Sequence, residues 1–415
     1  MQRRKIIVVG AGPAGMMAAI RASQLQPEVI LIEKNPHPGK KLLYSGKGRC
    51  NLTNAGDLYS FIKRFSHHNG QFLRDAFGKF FNTDLILFFE KRGVKLKFER
   101  QSRVFPASDK SHSILAVLKK ELQKNKVQIC YNSSLKDIFI QEKAVKGLLL
   151  QDGKTIITDR IILATGGVSY GFTGSTGEGI EIARRLGHRV VSLRPGLVPL
   201  VVRQDYPRLL EGLTLKNIRL TFSDTEKQIV SPVGELIFTH FGISGPLVLS
   251  LSGTIVDWLN ENKTVIVQID LKPALTAELL EQRLIREFKA NPTKTIKNTV
   301  KNLLPKSLAD VFISITAIPE DKKANQVTQE ERKKLVALLK SFSMNIISAR
   351  PIEEAMITRG GVSLKDINPR SMESRLIKGL YFAGEMIDID ADTGGFNLQA
   401  AFSTGYLAGE SAALS

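Results

Sequence analysis

Lys5-Ile-Ile-Val-Val9 runs directly into Gly10-Ala11-Gly12-Pro13-Ala14-Gly15 and then into Met16-Met-Ala-Ala-Ile20. A short β-branched run, a three-glycine turn and an alanine-rich helix make a dinucleotide site. The first glycine permits the tight turn out of the strand, the second admits backbone close to a pyrophosphate, and the third lets helix and strand pack closely. The free N–H groups and positive dipole end of the helix then face the phosphates. A second apolar strand, Val29-Ile-Leu-Ile32, ends in Glu33. That acid lies about 20 positions beyond the turn, where such a unit carries its ribose-binding carboxylate.

The same opening residues imitate a secretory signal, with basic Met1-Gln-Arg-Arg-Lys5 ahead of an apolar run. Three glycines and a proline break that run, and the pattern continues into a strand instead of ending at a cleavage site. No window approaches the roughly 18 uninterrupted apolar residues of a membrane span, so no membrane insertion is expected. Cys50 and Cys130 give neither a disulfide framework nor a C-x-x-C pair; the expected setting is a reducing cytoplasm, without a metal site. The formal charge of +19 would attract nucleic acid, acidic membranes or anionic substrates. Its cations are spread as solvated faces, as at Lys322-Lys323 and Arg332-Lys-Lys334. There is no Arg-rich tract and no aromatic-plus-basic pattern of the kind single strands stack on. The expectation is therefore a small-molecule substrate and no nucleic-acid partner. Oligomeric state is not legible.

At 415 residues, 43% apolar and 24% charged, the chain should build two or three packed units. Residues 58–92 read as helices with Phe72, Ala76, Phe80, Leu85, Phe88 and Phe89 inward, and 113–124 as another helix. Short strands follow at 127–131, 135–140, 145–150 and 160–164. From Leu193 to about Leu271, proline, glycine and β-branched residues at short spacing suggest a β-rich domain. The pattern turns helical between Pro273 and about Lys340 and β again from Ser343 to Ile357. Leu380-Tyr-Phe-Ala383 is a last buried strand before a C-terminal helix. The fold class expected is α/β: a discontinuous Rossmann-type domain over 1–193 and 362–415, an inserted barrel-like β-rich domain over 194–272 and 342–361, and a helical insertion over 273–341 that could act as a lid.

Two further strand–turn motifs carry chemistry. Ile161-Ile-Leu-Ala164-Thr165-Gly166-Gly167 ends a strand in small residues that let backbone lie against a cofactor. Gly379-Leu-Tyr-Phe-Ala-Gly384-Glu385 is followed by Asp388 and by Gly394-Gly395 at the start of an alanine-rich helix, whose N-terminus would stabilise negative charge on a ring edge. No cysteine pair accompanies these motifs and no second full GxGxxG exists, so a disulfide relay and a dedicated nicotinamide domain are not expected. Candidate substrate-side groups are His240, of suitable intrinsic pKa for proton exchange; Arg359, either a carboxylate clamp or a surface cation; and Tyr170. They would face a cleft between the nucleotide and β-rich domains. Cys50 is either packing or a reactive thiol.

GAGPAG with Glu33, GKGRCNLTN at 46–54, ATGG at 164–167, GELIFTHFGISGP at 234–246, TRGGV at 358–362 and the terminal YFAGE, Asp388 and TGGFNLQ together resemble the bacterial three-domain FAD flavoproteins catalogued as NAD(FAD)-utilising dehydrogenases, which include aminoacetone oxidase. The ATGG and AGE arrangement is more remotely similar to the glutathione-reductase and fumarate-reductase flavoproteins. The resemblance covers essentially the whole chain and implies an FAD-dependent oxidoreductase, with NAD(P)H as a transient reductant. It implies that Gly10, Gly12, Pro13, Ala14 and Gly15 take the pyrophosphate, and that Glu33 takes the adenosine ribose beside Lys34. Lys41, Ser45, Gly46, Arg49, Cys50 and Asn51 would line phosphates and flavin, and Leu135 would pack near the adenine. Ala164, Thr165 and Gly166 would run beside the cofactor. Gly384, Glu385 and Asp388 would hold the ribityl region, and Asn397 and Leu398 would present helix-start backbone to the flavin's pyrimidine edge. Two other classes stay open: a tRNA-modifying flavoprotein and a non-enzymatic flavin-binding sensor.

Overall fold

The computed structural model describes residues 5–26 and 28–415; the basic residues Arg3 and Arg4 lie outside the described residues. Five parallel strands form the first sheet, in the spatial order Leu380–Phe382, Arg160–Leu163, Ile6–Val9, Val29–Ile32 and Gln128–Cys130. The first four are buried along their whole length, which is why they read as nearly unbroken apolar runs and do not alternate. Register aligns Val9 with both Ile32 and Leu163, and Leu163 with Phe382. Four carboxyl ends therefore stop at one edge and deliver Gly10, Glu33, Ala164 and Ala383 side by side.

The first helix, Pro13–Leu25, packs on the closing helix, Phe396–Leu414. A Cβ at Gly405 would lie 2.2 Å from the Ala14 carbonyl oxygen, and one at Gly409 2.3 Å from that of Ala18. Glycines four apart share a helix face, so the two helices meet backbone to backbone. A three-stranded meander, Leu135–Gln141, Ala144–Leu150 and Thr155–Ile157, fills the connection between Cys130 and Arg160.

Packing divides the chain into two units. One runs to Gly196 and resumes over Ile352–Ser415; the other is Leu197–Pro351. The strand Ile357–Val362, expected in the β-rich domain, instead pairs antiparallel with Val190–Gly196 in the first unit. A six-residue strand carries no label for its partner, and pairing across some 160 positions is a tertiary choice.

In the second unit Thr214–Ser223, Gly234–Thr239, Gly242–Ser244, Leu200–Val202, Phe342–Ala349 and Val265–Asp270 pair successively, and the last pairs back with the first. The sheet is thus a closed barrel. The stretch expected to be β-rich also contains a helix, Pro246–Asn260. Pro246 opens it after Gly245 (φ 98°), and buried Val248, Ser252, Ile255 and Val256 fall at helical spacing; β-branched content masked that period. Helices Ala277–Ala290, Lys306–Thr316 and Gln329–Lys340 share one apolar core with the barrel, Leu284, Phe312 and Leu339 lying in the same cluster as Phe222 and Phe342. Among the described residues no helix is long and apolar enough to cross a membrane, and no group of three or more His, Cys, Asp and Glu side chains could hold a metal ion.

Candidate cofactor site

The glycine turn is shaped by contacts as well as by torsion. Gly10 has φ 100°, and a Cβ there would lie 2.5 Å from the Ala164 carbonyl oxygen; one at Gly15 would lie 1.8 Å from that of Gly10. Gly12 is different: a Cβ there would meet nothing within 4 Å. The protein does not itself demand that glycine, and the space beside the helix start stays open. No side chain caps this helix and Pro13 occupies its first turn, so the N–H groups of Ala14 and Gly15 face outward for a ligand. Glu33, 7% exposed, accepts from the Ala11 N–H on Oε2 (2.8 Å) and from the Asn35 N–H and Nδ2 on Oε1 (2.8 and 2.7 Å). A carboxylate oxygen offers two lone pairs, so Oε2 can still accept a ribose hydroxyl. Lys34 is committed elsewhere, donating to Thr176 Oγ1 (2.6 Å) and pairing with Glu178 (3.2 Å).

The other end of the site is the start of the closing helix. Gly395 has φ 96°, and a Cβ there would lie 2.4 Å from the Thr53 backbone; no side chain caps this helix either. The Asn51–Asn54 segment clamps it. The Asn51 amide satisfies both partners with its oxygen on the Gly395 N–H (3.1 Å) and its nitrogen on the Thr53 carbonyl (3.3 Å). Asn54 Nδ2 donates to the Gly394 carbonyl (3.2 Å), and Thr53 Oγ1 donates to Gln399 Oε1 (2.6 Å). Asn397 turns its side chain onto Ala391, accepting from the N–H (2.9 Å) and donating to the carbonyl (2.8 Å). What Asn397 and Leu398 retain for a ligand is backbone. Thr53, Asn54 and Gln399 were not read as site residues; the NLTN motif was visible, but its partner lay some 340 positions away.

Glu385 ties together three other segments, at Lys41, Ser169 and Thr358. Lys41 Nζ donates to Glu385 Oε2 (2.6 Å) and to Ser169 Oγ (2.7 Å). Glu385 Oε1 accepts from the Thr358 N–H (2.8 Å) and from Ser169 Oγ (3.2 Å). Thr358 Oγ1 in turn accepts from the Val168 and Ser169 N–H groups (2.8 and 3.0 Å). Lys41 therefore has its charge matched within the protein. Arg49 likewise pairs with Glu99 and Asp109 and lies 4.2 Å above the Phe105 ring. Its guanidinium holds the Glu99 carboxyl below the usual carboxylate range, while Lys97 and Arg49 do the same for Asp109. Each cation expected at the phosphates thus has an acidic partner of its own. Ser169, two positions beyond ATGG, and Thr358, the first residue of TRGGV, also belong to this network.

Gly384 (φ 74°) sits against Ala14, a Cβ there lying 2.7 Å from the alanine Cβ. The Asp388 N–H donates to the Val362 carbonyl (3.0 Å), and its own carbonyl accepts from Asn69 (2.8 Å). Ala164 ends its strand on the Val9 carbonyl (2.9 Å), Thr165 Oγ1 lies 3.9 Å from Met386 sulfur, and Gly166 takes φ 78°. Ser45 Oγ closes on the Leu42 carbonyl (2.7 Å), and Gly46 and Cys50 adopt left-handed backbone (φ 57° and 60°). Burial pushes the Cys50 thiol up to about 12, so it stays protonated near neutrality and is not an activated nucleophile. Leu135 is buried at the start of the meander.

The substrate-side candidates fall apart by unit. Arg359, 6% exposed, lies 3.5 Å from Asp390; it is not a surface cation. Tyr170 holds left-handed backbone (φ 52°, ψ 50°), is half-buried, and its phenol is pushed above its ordinary pKa by burial. Both belong to the first unit. His240 belongs to the second, exposed, 3.3 Å from Glu211 and edge-on to Phe241.

Two uncapped helix N-termini, an open space at Gly12 and a buried carboxylate with a free lone pair fit FAD, whose pyrophosphate, ribose and ring edge need these donors and this acceptor. The HI0933-like protein Rossmann domain model matches residues 4–411. The chain is 30% identical over 412 residues to the 3-dehydro-bile acid delta(4,6)-reductase of Clostridium scindens, covering 99% of both chains. It is 31% identical over 407 residues to the ribosomal RNA dihydrouridine synthase of Escherichia coli, covering 98% of this chain and 97% of that one. Among solved structures, a 3-ketosteroid delta1-dehydrogenase from Sterolibacterium denitrificans superposes with TM-score 0.53 at 12% identity, covering 99% of each chain. That similarity is one of fold.

Proposed function

The chain belongs to the HI0933-like family and is an FAD-dependent oxidoreductase; from that premise we propose that it reduces a carbon–carbon double bond conjugated to a carbonyl. Both full-length relatives described above carry names for this reaction. A bile-acid enone and the uracil ring are the same acceptor electronically, a C=C polarised by an adjacent C=O. The observation that carries the reading here is Cys50: the one thiol in the cofactor loop is buried and protonated, which favours direct contact between acceptor and ring over a thiol relay. When bound, FAD supplies the two-electron link between NAD(P)H and the acceptor. The β carbon gains hydride, the α carbon gains a proton, and NAD(P)H leaves as NAD(P)⁺.

In this reading Gly12, Ala14 and Gly15 receive the pyrophosphate and Glu33 the adenosine ribose. Glu385 and Asp388 hold the ribityl region, and the Asn397 and Leu398 N–H groups hold the ring edge. Tyr170 keeps its proton at neutral pH and delivers it to the α carbon. Arg359, closed onto Asp390, is a positioning residue; His240, in the second unit, is given no role in the reaction. The acceptor is a small enone. A second form of the reading, a uracil in RNA, is favoured by the charge of +19 and the RNA-named relative. Two cysteines outside any disulfide support a cytoplasmic setting.

The test is anaerobic stopped-flow. Protein reduced with NADH or NADPH should be reoxidised by a 3-ketosteroid enone or by a uridine-containing RNA, and not by an isolated alkene. Reoxidation by oxygen alone would overturn the reading. Tyr170→Phe should slow reoxidation by the acceptor by about 100-fold or more, the usual worth of a general acid, and leave reduction by NAD(P)H unchanged.

A further inference from the structure

Between Glu33 and Asp57 the chain carries Lys34, Lys40, Lys41, Lys47 and Arg49 and no acidic residue. Lys34, Lys41 and Arg49 find carboxylates from elsewhere. Lys40 and Lys47 are exposed and, among the described residues, in no ion pair; Lys40 Nζ donates to the Phe172 carbonyl. That bond joins the cofactor loop to the turn after ATGG and brings two large rings together at the surface. Tyr44 and Phe172 meet edge to face, centroids 5.1 Å apart at 86°, and are 52% and 56% exposed. The Tyr170 ring continues the row, 5.7 Å from Phe172. Three aromatic side chains thus run from beside Lys40 to the proposed proton donor.

We propose that Tyr44 and Phe172, flanked by Lys40 and Lys47, form a docking platform for an unpaired base of an RNA strand. This rests on the RNA form of the reading above. Aromatic faces that stack bases, beside cations that follow the backbone phosphates, are the recurring means of holding single strands. A small apolar enone instead needs a concave pocket that buries most of its surface, whereas these rings stand open. The charge of +19 supplies the long-range attraction a polyanion would feel. No single stretch of sequence carries such an aromatic-plus-basic pattern; Lys40, Tyr44 and Phe172 come together from segments more than a hundred positions apart.

The test measures binding of a fluorescein-labelled oligouridylate to the oxidised FAD-loaded protein by anisotropy, at several salt concentrations. Tyr44→Ala with Phe172→Ala should weaken binding by about tenfold or more, as loss of base stacking implies, with FAD content and reduction by NAD(P)H unchanged. Tyr44→Trp with Phe172→Tyr should bind within about twofold of the parent, since stacking tolerates any aromatic face. Lys40→Gln with Lys47→Gln should flatten the log–log salt slope by about 1.4, two phosphates' worth. Equal binding by the parent and the alanine variant would overturn the platform, as would loss of NAD(P)H-driven flavin reduction in that variant with oligouridylate binding intact. Because the assay involves no turnover, oligouridylate binding without any C=C reduction would sink the proposed reaction and leave the platform standing. Enone reduction by a protein that ignores oligouridylate would do the reverse.

Discussion

Two helices packed on the barrel, Ala277–Ala290 and Gln329–Lys340, begin differently from the two helices at the cofactor edge. Around the barrel, Thr276 accepts from the Leu279 N–H (3.3 Å). Thr328 and Glu331 exchange hydrogen bonds in a reciprocal cap (3.2 and 2.8 Å). Their first-turn donors are satisfied by the chain itself. At the cofactor edge, the first and closing helices begin at Gly12 and Gly395 with no side-chain cap. Each such end forgoes a side-chain cap worth about 1 kcal/mol and leaves first-turn N–H groups and a positive dipole end without a side-chain partner. Pro246–Asn260 and Lys306–Thr316 are uncapped as well, so it is only in the proposed reading that the pair at the cofactor edge keeps its donors for a ligand.

Gly395→Ala should break the comparison most severely. It places a Cβ 2.4 Å from the Thr53 backbone at φ 96°, and left-handed strain alone costs about 1–3 kcal/mol. The variant should melt earlier as apoprotein and lose FAD on gel filtration; normal flavin content would show that the clamp at Asn51–Asn54 is not needed. Gly12→Ala should separate the two effects, because the added Cβ meets nothing in the protein. Apoprotein melting should be unchanged while FAD affinity, by titration of apoprotein, falls by about tenfold, one lost close approach or hydrogen bond. An unaltered affinity would place the pyrophosphate elsewhere.

Glu385 sharpens the contrast within the cofactor unit, since one carboxylate there links Lys41, Ser169 and Thr358. In a cycle of Lys41→Met, Glu385→Gln and the double variant, FAD affinity and melting should couple by about 0.5–3 kcal/mol, the range for residues sharing one network. Additivity would mean that the pair acts separately. Thr328→Ala should lower stability by about 1 kcal/mol, the worth of an N-cap, with FAD affinity untouched; a change in affinity would contradict the division of roles. The smallest effect belongs to the cysteines. Cys50→Ser with Cys130→Ser should leave rates of flavin reduction and reoxidation within about twofold, because a thiol held protonated by burial is not a redox relay. Loss of turnover with FAD still bound would restore the relay.

Local signals determined a good deal. The strand–turn–helix at Lys5–Ile20 is a contiguous device, and each glycine's spacing follows from backbone geometry, so the parallel sheet and its helix could be read residue by residue. Glu33 was legible for the same reason: a strand of fixed length places its last residue at the sheet's carboxyl edge. The Cys50 packing alternative agrees with the burial of that thiol, whereas the Asn397 side chain is spent on Ala391. Other features were decided only when distant segments met. Nothing near Lys41 or Arg49 identifies Glu385, Glu99 or Asp109 as partners, and a cation's availability depends on which carboxylates the fold brings within reach. Arg359 read equally well as clamp or surface charge until pairing with the 190–196 strand buried it beside Asp390. Helix and strand both tolerate Val248, Ile255 and Val256, and the choice at 246–260 was settled by a face to bury against the barrel. The aromatic row of Tyr44, Phe172 and Tyr170 is absent from any window of the sequence. Periodicity and turn chemistry act over a few residues and are therefore written in the chain, whereas charge compensation and surface assembly act across space and arise only from the tertiary fold.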